Sequence, residues 1–338
     1  MPFLFLRLPP AARALTALAA LLLASAATAQ SAPAIARYSG MCDASAAVAL
    51  GSKLFVVAND EDNVLRMYRR DTPGKPVQTL DLTAFLKTRP NSPEADIEGA
   101  ARIGDRIYWI ASHGRNKDGK PRPNRHRLFA TEVKTTGNTV TLTPIGTPYT
   151  HLLDDLSQAP GLRDLKLRQA AKKAPESTGG LNIEGLAATP QGTLLIAFRN
   201  PIPGGQALIV PLDNPQDVIN GKAAKLGQPI LLPLAGHGIR DIAYFEAWGG
   251  YLMIAGPVDD NGDFKLYRWS GAASAQPEAL RGLDFRDLHP EALAIYPGDQ
   301  STVQVISDDG AAQVAGKDCK DITINPEQKN FRSVWVTL

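Results

Sequence analysis

An all-β chain folded as a five-bladed β-propeller is the architecture the sequence predicts, and three observations carry it. Five segments share one grammar, a polar start, a strand rich in small residues, a Gly or Pro turn and a strongly apolar return strand. Strand-like runs follow these hairpins, as four-stranded blades require. The last segment lacks its fourth strand, and a spare one, "AIARYSG" (Ala34–Gly40), stands before the first.

The five hairpins are "CDASAAVALGSKLFVVAND" from Cys42, "ADIEGAARIGDRIYWIASHG" from Ala95, "LNIEGLAATPQGTLLIAFRN" from Leu181, "GIRDIAYFEAWGGYLMIAGP" from Gly238 and "HPEALAIYPGDQSTVQVISDDG" from His289. The outer strands are "HRLFATEV" and "NTVTLTPIG" after the second, "QALIVPLD" and "QPILLPL" after the third, and "FKLYRWSG" and "PEALRGL" after the fourth. After the fifth only "FRSVWVTL" is left, so pairing the spare N-terminal strand beside it closes the ring and hides two sheet edges. Six blades are the alternative, with a degenerate one concealed in His151–Gly180. That stretch has no strand period. Leu162, Leu165 and Leu167 within "GLRDLKLRQAAKK" are spaced as in a short amphipathic helix, placed to lid the channel or to decorate the surface.

Residues 1–29 have the layout of a secretory leader. Arg7 and Arg13 precede an apolar run that ends on Ala27, Thr28 and Ala29, and cleavage is expected after Ala29, with an uncleaved N-terminal anchor as the alternative. Residues 30–338 then form a single propeller domain, expected to be periplasmic or secreted, monomeric and without a membrane span. Removing the leader takes away two Arg and no acid, leaving the 34 Asp and Glu matched by as many Lys and Arg. A nucleic-acid partner is not expected of so balanced a chain. The two cysteines, Cys42 and Cys319, read first as one disulfide in an oxidising compartment, stapling the ring closure, with two free buried thiols as the alternative.

If the first strand of each unit is innermost, its start opens onto the central channel. Aligning the starts stacks Ser45, Glu98, Glu184, Asp241 and Glu291, preceded two residues earlier by Asp43, Asp96, Asn182, Ile239 and His289. The return strands bring Asp60, His113, Arg199 and Asp308 to the same mouth. Carboxylates converging there raise one another's pKa and need a partner, whether a divalent cation, shared protons or the guanidinium groups of Arg199 and Arg240. Oxygen donors without Cys suit Ca²⁺ or Mg²⁺. The expected metal ligands are Asp96, Glu98, Asn182, Glu184, Asp241 and Glu291. The alternative needs no metal, with the acids hydrogen-bonded to backbone and paired with arginine as glue for the ring. Arg199, Arg240, Arg115, Asp60 and Asp308 are the candidate contacts to a small anionic ligand, and Glu98 with His113 the candidate proton-transfer pair. The loop "HGRNKDGKPRPNRHR" (His113–Arg127) either presents its six Lys and Arg to that ligand or is simply solvated. Gly99 and Gly185 are expected where inner strands crowd the axis.

The segments "DIEGAARIGDRIYWIAS" and "NIEGLAATPQGTLLIAFRN" resemble the repeat of a secreted propeller family, domain of unknown function 3616, over most of the chain after the leader. More distantly, in blade grammar alone, they resemble the phytase-like, esterase-like propellers, whose blades also open on an E-G pair before a P-x-G turn. That second resemblance implies calcium in an acidic channel and phosphoester hydrolysis, attached here to Asp96, Glu98, Asn182, Glu184 and Glu291. The sequence departs from it at Ser45, at "IRD" in place of "IEG" in blade 4, and in having no Lys-rich phosphate cluster. A non-enzymatic propeller that binds a ligand or a periplasmic partner is the competing function. No GxSxG elbow, P-loop, HExxH or dinucleotide fingerprint is present.

Overall fold

The computed structural model describes residues 1–2, 34–259, 261–321, 323 and 326–338. The expected leader and its cleavage point lie outside the described residues, apart from Met1 and Pro2. The unit Pro33–Leu338 carries every described strand.

Strand β1 (Ile35–Ser39) comes first in the chain and last in the ring. Blade 1 is β2 (Ala44–Ala49), β3 (Leu54–Asn59), β4 (Val64–Arg69) and β5 (Gln78–Asp81). Blade 2 is β6 (Ile97–Ile103), β7 (Arg106–Ala111), β8 (Leu128–Thr136) and β9 (Thr139–Tyr149). Blade 3 is β10 (Asn182–Ala188), β11 (Leu194–Asn200), β12 (Ala207–Leu212) and β13 (Ile230–Leu232). Blade 4 is β14 (Gly238–Phe245), β15 (Gly250–Gly256), β16 (Lys265–Trp269) and β17 (Glu278–Ala279). Blade 5 starts with β18 (Pro290–Ala294) and β19 (Thr302–Ser307), is interrupted by a hairpin of β20 (Gln313–Val314) and β21 (Lys317–Asp318), and resumes with β22 (Asn330–Thr337). Its fourth strand is β1, antiparallel to β22 with Ile35 opposite Val334 and Ser39 opposite Asn330. The expected closure is therefore the one observed, and no sixth blade exists among the described residues.

Five blades make five faces, and five apolar clusters fill them. Val56, Trp109 and Phe129 join blades 1 and 2; Ile110, Ile183 and Phe198 join 2 and 3; Ala197, Ile239 and Trp269 join 3 and 4; Leu252, Val305 and Val334 join 4 and 5. At the seam between blades 5 and 1, Tyr38 packs on Phe55, Tyr68 and Phe331 with ring centroids 5.1–5.3 Å apart. The last interface is thus as apolar as the others. Cys42 and Cys319 are disulfide-bonded across it, their Cα atoms 5.9 Å apart.

Residues 151–180 pack against the junction of blades 2 and 3 through Leu152, Leu156, Leu162 and Leu167. The single amphipathic helix expected around Leu162–Leu167 is broken instead. A helix over Leu152–Gln158, a 3-10 segment over Pro160–Leu165 and a turn over Leu167–Ala170 replace it, because Lys166 takes a left-handed backbone (φ 51°). Gly99 and Gly185 do serve close approach. A Cβ on Gly99 would stand 3.0 Å from Glu184 O, and one on Gly185 2.9 Å from Ala197 Cβ.

Candidate functional site

In every blade the innermost strand pair carries a register shift at the same place, between Ala44 and Ala46, Ile97 and Gly99, Ile183 and Gly185, Ile239 and Asp241, and Pro290 and Ala292. The residue left over is Ser45, Glu98, Glu184, Arg240 and Glu291 in turn. A bulge frees one residue from the ladder and re-aims its side chain, so these five share one structural position. Asp241, expected among the acids, stands one residue beyond it. Its carboxylate accepts backbone N–H groups from Ile242 and from Leu293 of blade 5, each at 2.7 Å. It binds two inner strands together and takes no part in the acid cluster. Ser45 acts alike, donating to Ile97 O of blade 2 at 2.5 Å.

The five bulge residues do not share one fate. Arg240, 2% exposed, pairs with Glu291 of blade 5 on one side and lies 3.5 Å from Glu184 Oε2 of blade 3 on the other. Glu184 also accepts from Arg199 Nη1 at 3.0 Å and Asn182 Nδ2 at 2.6 Å. Arg240 Nη2 donates to Pro257 O at 2.9 Å. Burial still pushes Glu291 above the usual carboxylate range, opposed by the charge of Arg240. Arg199 and Arg240, expected to hold a ligand, are engaged by the protein's own acids.

On the other side, carboxylate oxygens of Asp60, Asp96 and Glu98 lie within 4.8 Å of one another. Asp60 leaves the end of β3, Glu98 is the blade 2 bulge, and Asp96 precedes β6 with a left-handed backbone (φ 59°). Asp96 pairs with Arg125 Nη1 at 2.8 Å, and Arg125 also binds Glu94. Burial raises Asp96 to about 6 against that pairing. Glu98 is raised well above its usual range by burial and then by Asp96, Glu184 and Glu291. Asp60 is raised by burial and then by Asp308, Glu98, Asp43 and Asp96, and its Oδ1 is buried with no hydrogen-bond partner among the described residues.

The acid field continues into blade 5. Asp308 accepts from Gly310 N at 2.8 Å and is raised to about 6. Asp43, 4% exposed, is raised to about 8 by burial and then by Asp308 and Glu61, with Lys320 acting against both. Sequence reasoning placed Asp60 with the ligand contacts and gave Asp43 no role, although both flank the first hairpin beside the acids of blade 2.

Three of the basic loop's six cations turn inward, while Lys117 and Lys120 stay exposed. Arg115 donates to Ala171 O (2.9 Å) and Gly119 O (2.8 Å), Arg125 serves Glu94 and Asp96, and Arg127 donates to Leu86 O at 3.1 Å. Arg115 is thus a tie between that loop and the 151–180 insertion. His113 is 1% exposed, donates from Nδ1 to Ala111 O at 2.8 Å and packs on His126, ring centroids 5.4 Å apart. Its pKa is lowered to about 3 by burial and then by the charges of His126 and Arg127. Among the described residues no hydrogen bond or ion pair joins His113 to Glu98, its expected proton-transfer partner.

No curated protein matches the chain. Solved structures that resemble it include an oxidoreductase (glucose dehydrogenase) from Thermus thermophilus, at 15% identity and a TM-score of 0.45, covering 90% of this chain and 100% of that one. The PQQ-bound aldose sugar dehydrogenase of Streptomyces coelicolor resembles it at 12% identity and a TM-score of 0.44, over 90% and 100% of the two chains. A luciferin-regenerating enzyme does so at 9% identity and 0.42, over 91% and 96%. The signature of one family matches residues 43–158 and 150–296, most of the propeller, and the chain accordingly belongs to that family, described as protein of unknown function (DUF3616).

Proposed function

We propose that this is an exported propeller whose acidic mouth binds a divalent cation, Ca²⁺ ahead of Mg²⁺, on Asp60, Asp96 and Glu98. The observation that carries the reading is the convergence of three carboxylates within 4.8 Å, one of them with a buried oxygen that lacks a hydrogen-bond donor among the described residues. An all-oxygen donor set of this kind fits a hard cation. Asn182, Glu184 and Glu291 stand outside the set. Glu184 and Glu291 already have arginine partners, and Asn182 donates to Glu184.

A small anionic ligand would reach this mouth through the cation, which supplies the positive charge that the engaged arginines do not. The leader-like residues 1–29 and the Cys42–Cys319 disulfide support export. No helix among the described residues is long and apolar enough to cross a membrane.

Metal content and thermal unfolding of the purified protein, before and after chelation and with Ca²⁺, Mg²⁺ or Mn²⁺ restored, test the reading. One bound ion per chain is expected, with a melting temperature that falls on chelation and recovers with Ca²⁺. Glu98→Gln should lose both ion and recovery. Metal-free protein whose melting ignores all three ions would overturn it.

A further inference from the structure

At the turn end of the channel, away from the acids, the five inner strands leave a cavity of about 830 Å³. Every blade lines it, through residues such as Ala49, Ala100, Ala188, Ala243 and Ile295. Alanine at these positions keeps the funnel open where larger side chains would fill it. The volume lies within the roughly 300–1,000 Å³ of sites that hold small organic molecules.

Three of the four charged groups on its wall already have partners. Asp241 has both oxygens on backbone N–H groups. Arg102 donates to Gly104 O at 2.8 Å and to Ala49 O at 3.4 Å. Asp299 accepts two bonds from Arg70, at 3.1 and 2.9 Å. Only Glu246 is strongly exposed among these, and it follows the end of β14 at the rim. An ionic guest would give up its hydration for groups mostly engaged already, whereas an apolar one gains by covering the alanine and isoleucine surface of Ala100, Ala188, Ala243 and Ile295.

We infer that this cavity is a second binding site, independent of the cation mouth, for an uncharged and mainly apolar small molecule. The probe is N-phenyl-1-naphthylamine, a neutral dye that fluoresces in apolar surroundings, titrated into the full chain after leader removal. Saturable binding of about one dye per chain is expected, unchanged in Glu98→Gln. Ala100→Phe and Ala188→Phe should each weaken it by about tenfold or more. If either variant melts early, the gentler Ala188→Leu takes its place, with a smaller loss in the same direction. Emission that never saturates, or filled variants that bind as tightly as the parent, would sink the proposal. So would tighter binding of the sulfonated analogue 1-anilinonaphthalene-8-sulfonate than of the neutral dye.

Discussion

Across blades 3, 4 and 5 the bulge positions read Glu184, Arg240, Glu291, whereas across blades 1 and 2 they read Ser45 and Glu98. The register shift falls at the same place in all five. In the first group the sign alternates around the ring, so one guanidinium reaches an acid on each side. In the second a neutral hydroxyl takes the place where a cation could have stood, and Glu98 is left facing Asp60 and Asp96 with Arg125 only at the edge. One residue type at one repeated position therefore decides whether a sector of the mouth is sealed by ion pairs or left as an electron-rich recess.

Removing the seal should have the largest effect. Arg240→Met strands Glu291 in a buried site and leaves Glu184 to Arg199 and Asn182, and unfolding in denaturant should show a loss of about 3–5 kcal/mol. A loss under about 1 kcal/mol would mean that the ion pairs contribute little beyond what water could supply. Next comes the open sector. At a Ca²⁺ concentration a hundred times its dissociation constant, the parent should gain about 2.7 kcal/mol over chelated protein. Asp60→Asn should remove most of that gain, while Glu291→Gln should keep it. Equal losses in both variants would erase the distinction between the sectors.

Acidity offers a third comparison. Asp43, Asp96 and Asp308 have folded pKa values raised to about 8, 6 and 6, above the unfolded value near 4. The folded state holds the extra protons, so this contribution is fully present below about pH 4 and is lost as pH rises through 6 and then 8. Cation-free protein should thus melt at a lower temperature at pH 8 than at pH 5.5, and Ca²⁺ should flatten the difference. The smallest effect is expected of Glu98→Gln in chelator, which removes one repelling charge and should raise stability by about 1 kcal/mol. A fall instead would show that Glu98 makes a favourable contact even without the ion.

Much of the ring was legible from the chain itself. Hairpin alternation, small inner residues and a leftover strand at each end predict five blades and their closure, because those signals are local and repeat. Asp241 was misplaced for a reason equally visible in the letters. "GIRD" aligns with "DIEG" and "NIEG" on its isoleucine, which sets Arg240 against Glu98 and Glu184, but a search for acids passes over the arginine. The inward fold of Arg115, Arg125 and Arg127 had no local sign. Their partners, Ala171, Glu94, Asp96 and Leu86, are separated from them by 29 to 56 residues. Nor could periodicity show that Lys166 would turn left-handed and split the insertion.

The pairing of β1 with β22 sets an order of events during synthesis. The first strand made has no partner until the last one emerges, almost the whole propeller later. Until then the growing chain is an open fan with a free edge at each end, the arrangement most prone to pair with another copy. A ribosome that stalls before residue 330 therefore releases a product with most of its blades and no closure, and the Cys42–Cys319 bond marks chains that have passed that point.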